Sequence, residues 1–183
     1  RADAAKDPTL LRLENLDTDL RPPAVALAAT REAIDVDEAN SYLPFQGAAS
    51  LRQATAAHVG RSAGRAYDSE RECLITAGGL NGVLNALLAT VEPGDEVVVV
   101  DPIYAGLINR IRLAGGVPRF VPLEPSPSGW HVDPDHLAAA VNHKTAAVLM
   151  MSPAMPTGSV LGREHWQALA TAMSGTRAWL IYD

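Results

Sequence analysis

From Glu72 onward the chain alternates short, continuously apolar runs with longer stretches whose apolar residues recur every three or four positions. The runs at 73–76, 96–100, 117–121, 146–150 and 179–182 have strand length, and the stretches at 80–91, 105–113, 135–141 and 163–173 predict helices. In the first of these helices Leu80, Val83, Leu84, Leu87, Leu88 and Val91 recur at helical spacing. Strands that are apolar throughout, rather than at every second residue, belong to a largely parallel sheet covered on both faces. Strand–helix–strand repetition therefore predicts an α/β, doubly wound domain with right-handed crossovers. Upstream the pattern weakens. Residues 1–21 have no sustained period and read as an arm, Asp19-Leu20-Arg21-Pro22-Pro23 opens a helix over 24–34, and 50–62 predicts another that ends near Gly64. Residues 40–47 between them read as a loop rich in turn formers.

Ligands of open α/β sheets bind beyond the carboxyl ends of the strands, so the turns there hold the chemical information. Gly78-Gly79 follows the first run at once and opens the helix after it. Adjacent glycines let the backbone pass close to a ligand, and the helix start points unpaired N–H groups at it. An anion at such a place gains about 0.3–1 kcal/mol from the helix dipole alone. The second run ends at Asp101-Pro102-Ile103-Tyr104, the fourth at Ser152-Pro153-Ala154-Met155-Pro156-Thr157-Gly158, and the fifth at Asp183. Each has a plain structural reading when taken singly: Tyr104 as a packing residue at a helix start, Asp101 as a turn or cap, Pro156-Thr157-Gly158 as a turn, Tyr42 as a surface aromatic. Their order and their common placement at strand ends point instead to one cleft.

Composition narrows the partners. At 183 residues, 48% of them apolar and 20% charged, the chain suits one large globular domain. A net charge of −6, with no basic cluster, argues against nucleic acid and anionic membranes, and no apolar stretch is long enough to span a bilayer. Cys73 is the only cysteine and sits in an apolar run, which suggests a buried small hydrophobe in a reducing, cytoplasmic setting. The chain starts without Met and stops directly after an apolar run, so it reads as a fragment.

Seven stretches occur in a familiar order: Asn40-Ser41-Tyr42-Leu43-Pro44 with Gly47 and Leu51-Arg52; Thr76-Ala77-Gly78-Gly79; Pro93-Gly94-Asp95-Glu96-Val97; Asp101-Pro102-Ile103-Tyr104; Ala114-Gly115-Gly116; Ser152-Pro153 with Pro156-Thr157-Gly158; and Ile181-Tyr182-Asp183. Over roughly Leu10 to Asp183 the chain resembles the fold-type I pyridoxal-phosphate enzymes of the class I/II aminotransferase group. The resemblance implies a three-layer α/β/α large domain with a mainly parallel sheet, incomplete after its fifth strand. Residues 1–40 would form an arm and first helix on the small-domain side, and 41–183 the cofactor-binding large domain. It also implies pyridoxal 5′-phosphate as cofactor, amino-acid and 2-oxo-acid substrates, and a homodimer. Gly78, Gly79 and Leu80 would hold the cofactor phosphate, Tyr104 would stack on its ring, and Asp183 would pair with the protonated ring nitrogen. Tyr42 would reach the phosphate of the neighbouring subunit, and Asn15 would lie near the substrate carboxylate where the family tends to have a glycine.

Met155 departs from the family, which has an asparagine there to bond the cofactor's phenolic oxygen; a thioether cannot donate that bond. The Schiff-base lysine has no counterpart either, since Lys6 and Lys144 are the only lysines and neither stands in a matching context. These residues alone are therefore expected to be inactive. The family's first strand lies beyond the sixth and seventh, so 73–76 is expected to lack its neighbours and to leave an unfilled slot beside 179–182, with poor stability in isolation. Three other readings stay open: a cofactor-binding relative without turnover, a lyase of the same fold, and a Rossmann dinucleotide-binding domain. The last is opposed by Gly78-Gly79-Leu80-Asn81-Gly82, which lacks the G-x-G-x-x-G spacing.

Overall fold

The computed structural model describes Asp7, Thr9 and residues 20–183, and the chain divides into two compact units, 1–44 and 45–183. In the first, helix α1 (Ala24–Ile34) follows the two prolines and is succeeded by a 3-10 turn, Asp37–Asn40. The Asn40 amide nitrogen lies 3.0 Å from the carbonyls of Ala33 and Ile34 and 2.8 Å from that of Val36, satisfying the end of α1. Asn40 therefore closes the end of α1, whereas the sequence placed it in the loop over residues 40–47.

The second unit opens with α2 (Ala49–Ala63), ended by Gly64 in the left-handed conformation. Then come α3 (Gly79–Thr90), β1 (Glu96–Asp101), α4 (Ala105–Leu113), β2 (Val117–Pro122), β3 (Glu124–Ser126), β4 (Gly129–His131), α5 (Pro134–Ala139), β5 (Thr145–Met150), α6 (Arg163–Met173) and β6 (Trp179–Tyr182). Four strands form one parallel sheet in the order β2-β1-β5-β6. Because β1 and β5 are its interior strands, both faces of each are buried, which explains their unbroken apolar character. On one face Val83 and Leu87 of α3 and Leu107 and Ile111 of α4 pack on Val97, Val99, Ala147 and Leu149. On the other, Leu137 of α5 and Leu169 of α6 pack on Val98, Val100, Val148 and Met150. This is the expected three-layer α/β/α arrangement.

One expected strand does not form. Residues 73–76 join no ladder; the Ile75 N–H donates to the Gln46 carbonyl at 3.0 Å, and Cys73 is half-buried instead of buried. A run of four residues makes a strand only when a neighbouring strand pairs with it in turn; the single bond to Gln46 is not a ladder, and no strand among the described residues pairs with 73–76. A hairpin that the pattern did not predict, β3–β4, pairs Pro125 with Trp130 across a turn at Ser126–Gly129. Strands of three residues are too short to show a period.

The outer edge of β2 is closed by composition. Val117 and Leu123 donate their N–H groups inward, to Asp95 and Asp101 beside β1, at 2.8 and 2.7 Å. In a regular parallel ladder the intervening even positions face outward, and two of those three are Pro118 and Pro122, which have no N–H. Only Phe120 offers an outward donor, so the edge is a poor template for strand addition. Replacing both prolines by threonine is expected to promote self-association, visible as increased light scattering at equal concentration. Leu87→Ala, at a site with no exposed surface, should cost about 2–5 kcal/mol in urea unfolding. Leu88→Ala, one position on and 58% exposed, should cost no more than about 0.5 kcal/mol.

Candidate functional site

Parallel pairing brings the carboxyl ends of β1, β5 and β6, at Asp101, Met150 and Tyr182, to one edge of the sheet. Helix α4 starts at that edge, and α3 returns to the opposite edge through the 91–95 turn, which sets its first turn at the carboxyl edge as well. Leu80, Ile103, Met151 and Ile181 all pack, partly buried, against the α3/α4 core cluster. The glycine turn, the segment after β1, the loop after β5 and the end of β6 therefore share one edge and one face.

At the glycine turn, Gly78 has φ 88° and ψ 158°, a conformation essentially restricted to glycine. Its carbonyl accepts from Asn81 and Gly82 at 3.2 and 3.3 Å, and its N–H donates to Thr76 at 2.8 Å. The Thr76 hydroxyl donates back to the Gly78 carbonyl at 3.0 Å, and the Asn81 amide to Ala77 at 2.8 Å. These side chains brace the turn without using the N–H groups of Gly79 and Leu80, which have no acceptor among the described residues. A Cβ added at Gly78 or Gly79 would meet nothing within 4 Å, and no acidic residue stands in the first turn. Two free donors over open space, at a positive helix end, form a cradle suited to a phosphate.

Tyr104 occupies the cap position of α4 and is 40% exposed. Its ring lies over Gly106, where an added Cβ would come within 2.8 Å of the ring's Cζ, so a side chain there would displace the tyrosine. Asp101, read as a turn or cap, ends β1 instead, and its carbonyl accepts from Leu123. Asp183 continues the β6 ladder with its N–H on the Met150 carbonyl at 2.9 Å. Met155 is half-buried in the loop after β5, which folds on itself through Ala154 N–H to Ser159 (2.8 Å) and Gly158 N–H to Ala154 (2.7 Å). Tyr42 is fully exposed within the first unit, and Asn15 lies outside the described residues. Lys144 directly precedes β5 and so stands at the amino edge, away from these groups. A cavity of about 510 Å³ between α2 and the 64–69 turn shares no residue with them.

Arg52, which in the sequence stands out only as part of the Leu51-Arg52 stretch, has a structural role. It is 3% exposed, donates to both Glu70 carboxylate oxygens at 2.7 and 2.8 Å, and reaches the carbonyls of Gly47 and Ser69 at 2.7 and 3.0 Å. It ties α2 to the segment that leads into the glycine turn. A buried arginine is readable in sequence only as an arginine inside a helix pattern, and here its partners lie 5 to 18 residues away.

Residues 10–183 match the family described as aminotransferase class I and II. The chain is 38% identical over 161 residues to a probable N-succinyldiaminopimelate aminotransferase of Mycobacterium tuberculosis, covering 88% of this chain and 40% of that protein. It is 30% identical over 174 residues to human kynurenine–oxoglutarate transaminase 3, covering 91% and 38%. The solved structure of N-succinyldiaminopimelate aminotransferase from Mycobacterium tuberculosis superposes with a TM-score of 0.84 at 36% identity, covering 90% of this chain and 43% of that one. The chain thus spans about 40% of the length of the curated relatives it matches.

Two outcomes follow from the turn. Gly78→Ala should lower stability by about 1–3 kcal/mol in denaturant unfolding, because an L-residue is strained at φ 88°, whereas Gly79→Ala should not. Glu72 accepts the Asp68 N–H and pairs with Arg65, which holds its carboxyl below the ordinary glutamate range. Its contribution to stability is present above the unfolded-state value and lost as pH falls through the lowered one. NMR titration of its side-chain carboxyl should show the lowered midpoint, and Asp68→Pro, which removes the donor, should raise it.

Proposed function

Because the chain belongs to the class I and II aminotransferases, we propose that the full-length protein uses pyridoxal 5′-phosphate to transfer an amino group between an L-amino acid and a 2-oxo acid. The observation that supports this most is the cradle at Gly79 and Leu80, at the edge of the sheet where Tyr104 precedes α4 and β6 runs into Asp183. The free N–H groups of Gly79 and Leu80, with the turn at Gly78, bind the phosphate. The Tyr104 ring, supported from behind by the bare Gly106, offers a flat face for stacking. Asp183 holds a proton on the ring nitrogen; opposite charges about 4 Å apart attract by roughly 4 kcal/mol at an effective dielectric near 20. The cofactor, when bound, supplies the electron sink for cleavage at the substrate's α-carbon.

Further assignments belong to the same reading. Tyr42 reaches the cofactor phosphate of a second subunit in a homodimer, Asn15 lies near the substrate carboxylate, and Met155 faces the phenolic oxygen without donating to it. Residues 1–40 form the arm and first helix, and 41–183 the cofactor-binding domain. The amine that anchors the cofactor comes from the remainder of the full-length protein, so residues 1–183 alone are inactive. A cytoplasmic setting belongs to the same reading, on the ground that Cys73 is the only cysteine in the sequence and can form no intrachain disulfide. Two departures from the family favour a cofactor binder without turnover, Met155 and Asn15.

The test is amino transfer by the full-length protein from a panel of L-amino acids to 2-oxoglutarate, with product analysis to separate transfer from lyase chemistry. Asp183→Ala is expected to lower kcat/KM by about three orders of magnitude, the rate equivalent of the ion-pair energy above. Cofactor binding with no transfer to any 2-oxo acid would favour the binder. Full activity in the Asp183→Ala protein would remove the role assigned to that carboxylate.

A further inference from the structure

Immediately before Asp183, the chain turns a side chain to the opposite face of the sheet. Ile181 packs on the α3/α4 cluster, while the Tyr182 ring meets Trp166 of α6 edge-on, with centroids 5.5 Å apart and planes at 79°. Alternation along the strand then returns Asp183 to the Ile181 face. The Tyr182 hydroxyl donates to the Ser152 carbonyl at 2.6 Å. The Ser152 hydroxyl accepts the Leu161 N–H at 3.0 Å, and the Trp166 indole N–H donates to the Leu161 carbonyl at 3.2 Å. Tyr182, Ser152, Leu161 and Trp166 thus close a circuit that joins the end of β6 to both ends of the loop holding Met155.

We propose that Tyr182 is a positioning residue: through its bond to Ser152 it fixes where the Asp183 carboxylate stands relative to the loop after β5. The inference rests on the cofactor reading above. Asp183 lies one residue beyond the last strand position of β6, so its side chain is placed by the backbone that leads into it. Its own N–H bond to Met150 holds the backbone in the ladder but says nothing of the loop. The tyrosine hydroxyl supplies that second constraint from the far side, without occupying any space in the site. A charge aimed at one ring atom must be held to about 0.5 Å, and a circuit through two loop ends is a means of doing so.

The experiment uses the full-length protein, prepared as wild type, Tyr182→Phe and Leu180→Ala. Leu180 is on the same strand, 47% exposed and outside the circuit. Each is titrated with cofactor labelled with nitrogen-15 in the ring, and the ring-nitrogen resonance is followed against pH. Tyr182→Phe, which keeps the ring contact with Trp166, should weaken cofactor binding roughly three- to tenfold, the fold-change of one lost hydrogen bond, and lower the pH at which the nitrogen loses its proton. Leu180→Ala should leave that pH in place. If wild type and Tyr182→Phe show the same nitrogen titration, or if Leu180→Ala moves it equally, the positioning role is overturned while the cofactor reading stands. If wild type fails to bind the cofactor, both fall together.

Discussion

The parallel pairing of β5 with β1 and β6 is the constraint on which the rest depends. Ala147 and Val148 face Val97 and Val98 on one side and Trp179 and Leu180 on the other, with no exposed surface on β5 between Ala147 and Met150. Burial on both faces makes a slip of register costly, because every side chain would change face. With the register held, three strands end level, and the segments that follow must turn at one edge. A chain built this way has no choice about where its polar turn residues gather.

The edge also explains a division of labour between the two faces. On the α3/α4 face, Leu80, Ile103, Met151 and Ile181 pack, partly buried, against the apolar core. On the α5/α6 face the contacts are structural: His165 accepts the Gly162 N–H at Nδ1 (3.0 Å), and its Nε2 meets the Val132 carbonyl at 2.9 Å, joining α6 to the segment after β4. Those partners select the tautomer protonated at Nε2. Tyr182 and Trp166 belong to this second face, which is why they can act on the site only through the backbone.

Much of this was legible in the sequence because the signals were local. Helices α1, α4 and α6 and strand β6 have the limits that apolar spacing and turn residues predicted, and the glycine pair marked the start of α3. What escaped was non-local. Whether residues 73–76 are a strand depends on a partner, not on their own composition. Arg52 and Glu70 are 18 residues apart, Tyr182 and Ser152 30 apart, and no period links them. The β3–β4 hairpin lies in a proline-rich stretch, where Pro125 and Pro127 leave so short a pairing no apolar period to read. The order of the strand-end turns was in the sequence; that they occupy one face came from the packing of Leu80, Ile103 and Ile181.

The most direct test of the central claim is the crystal structure of the full-length protein with pyridoxal 5′-phosphate. Phosphate oxygens are expected within about 2.7–3.2 Å of the Gly79 and Leu80 nitrogens, the ring against Tyr104, and the ring nitrogen on Asp183. A phosphate held elsewhere, with the Gly79 and Leu80 N–H groups facing solvent, would contradict it.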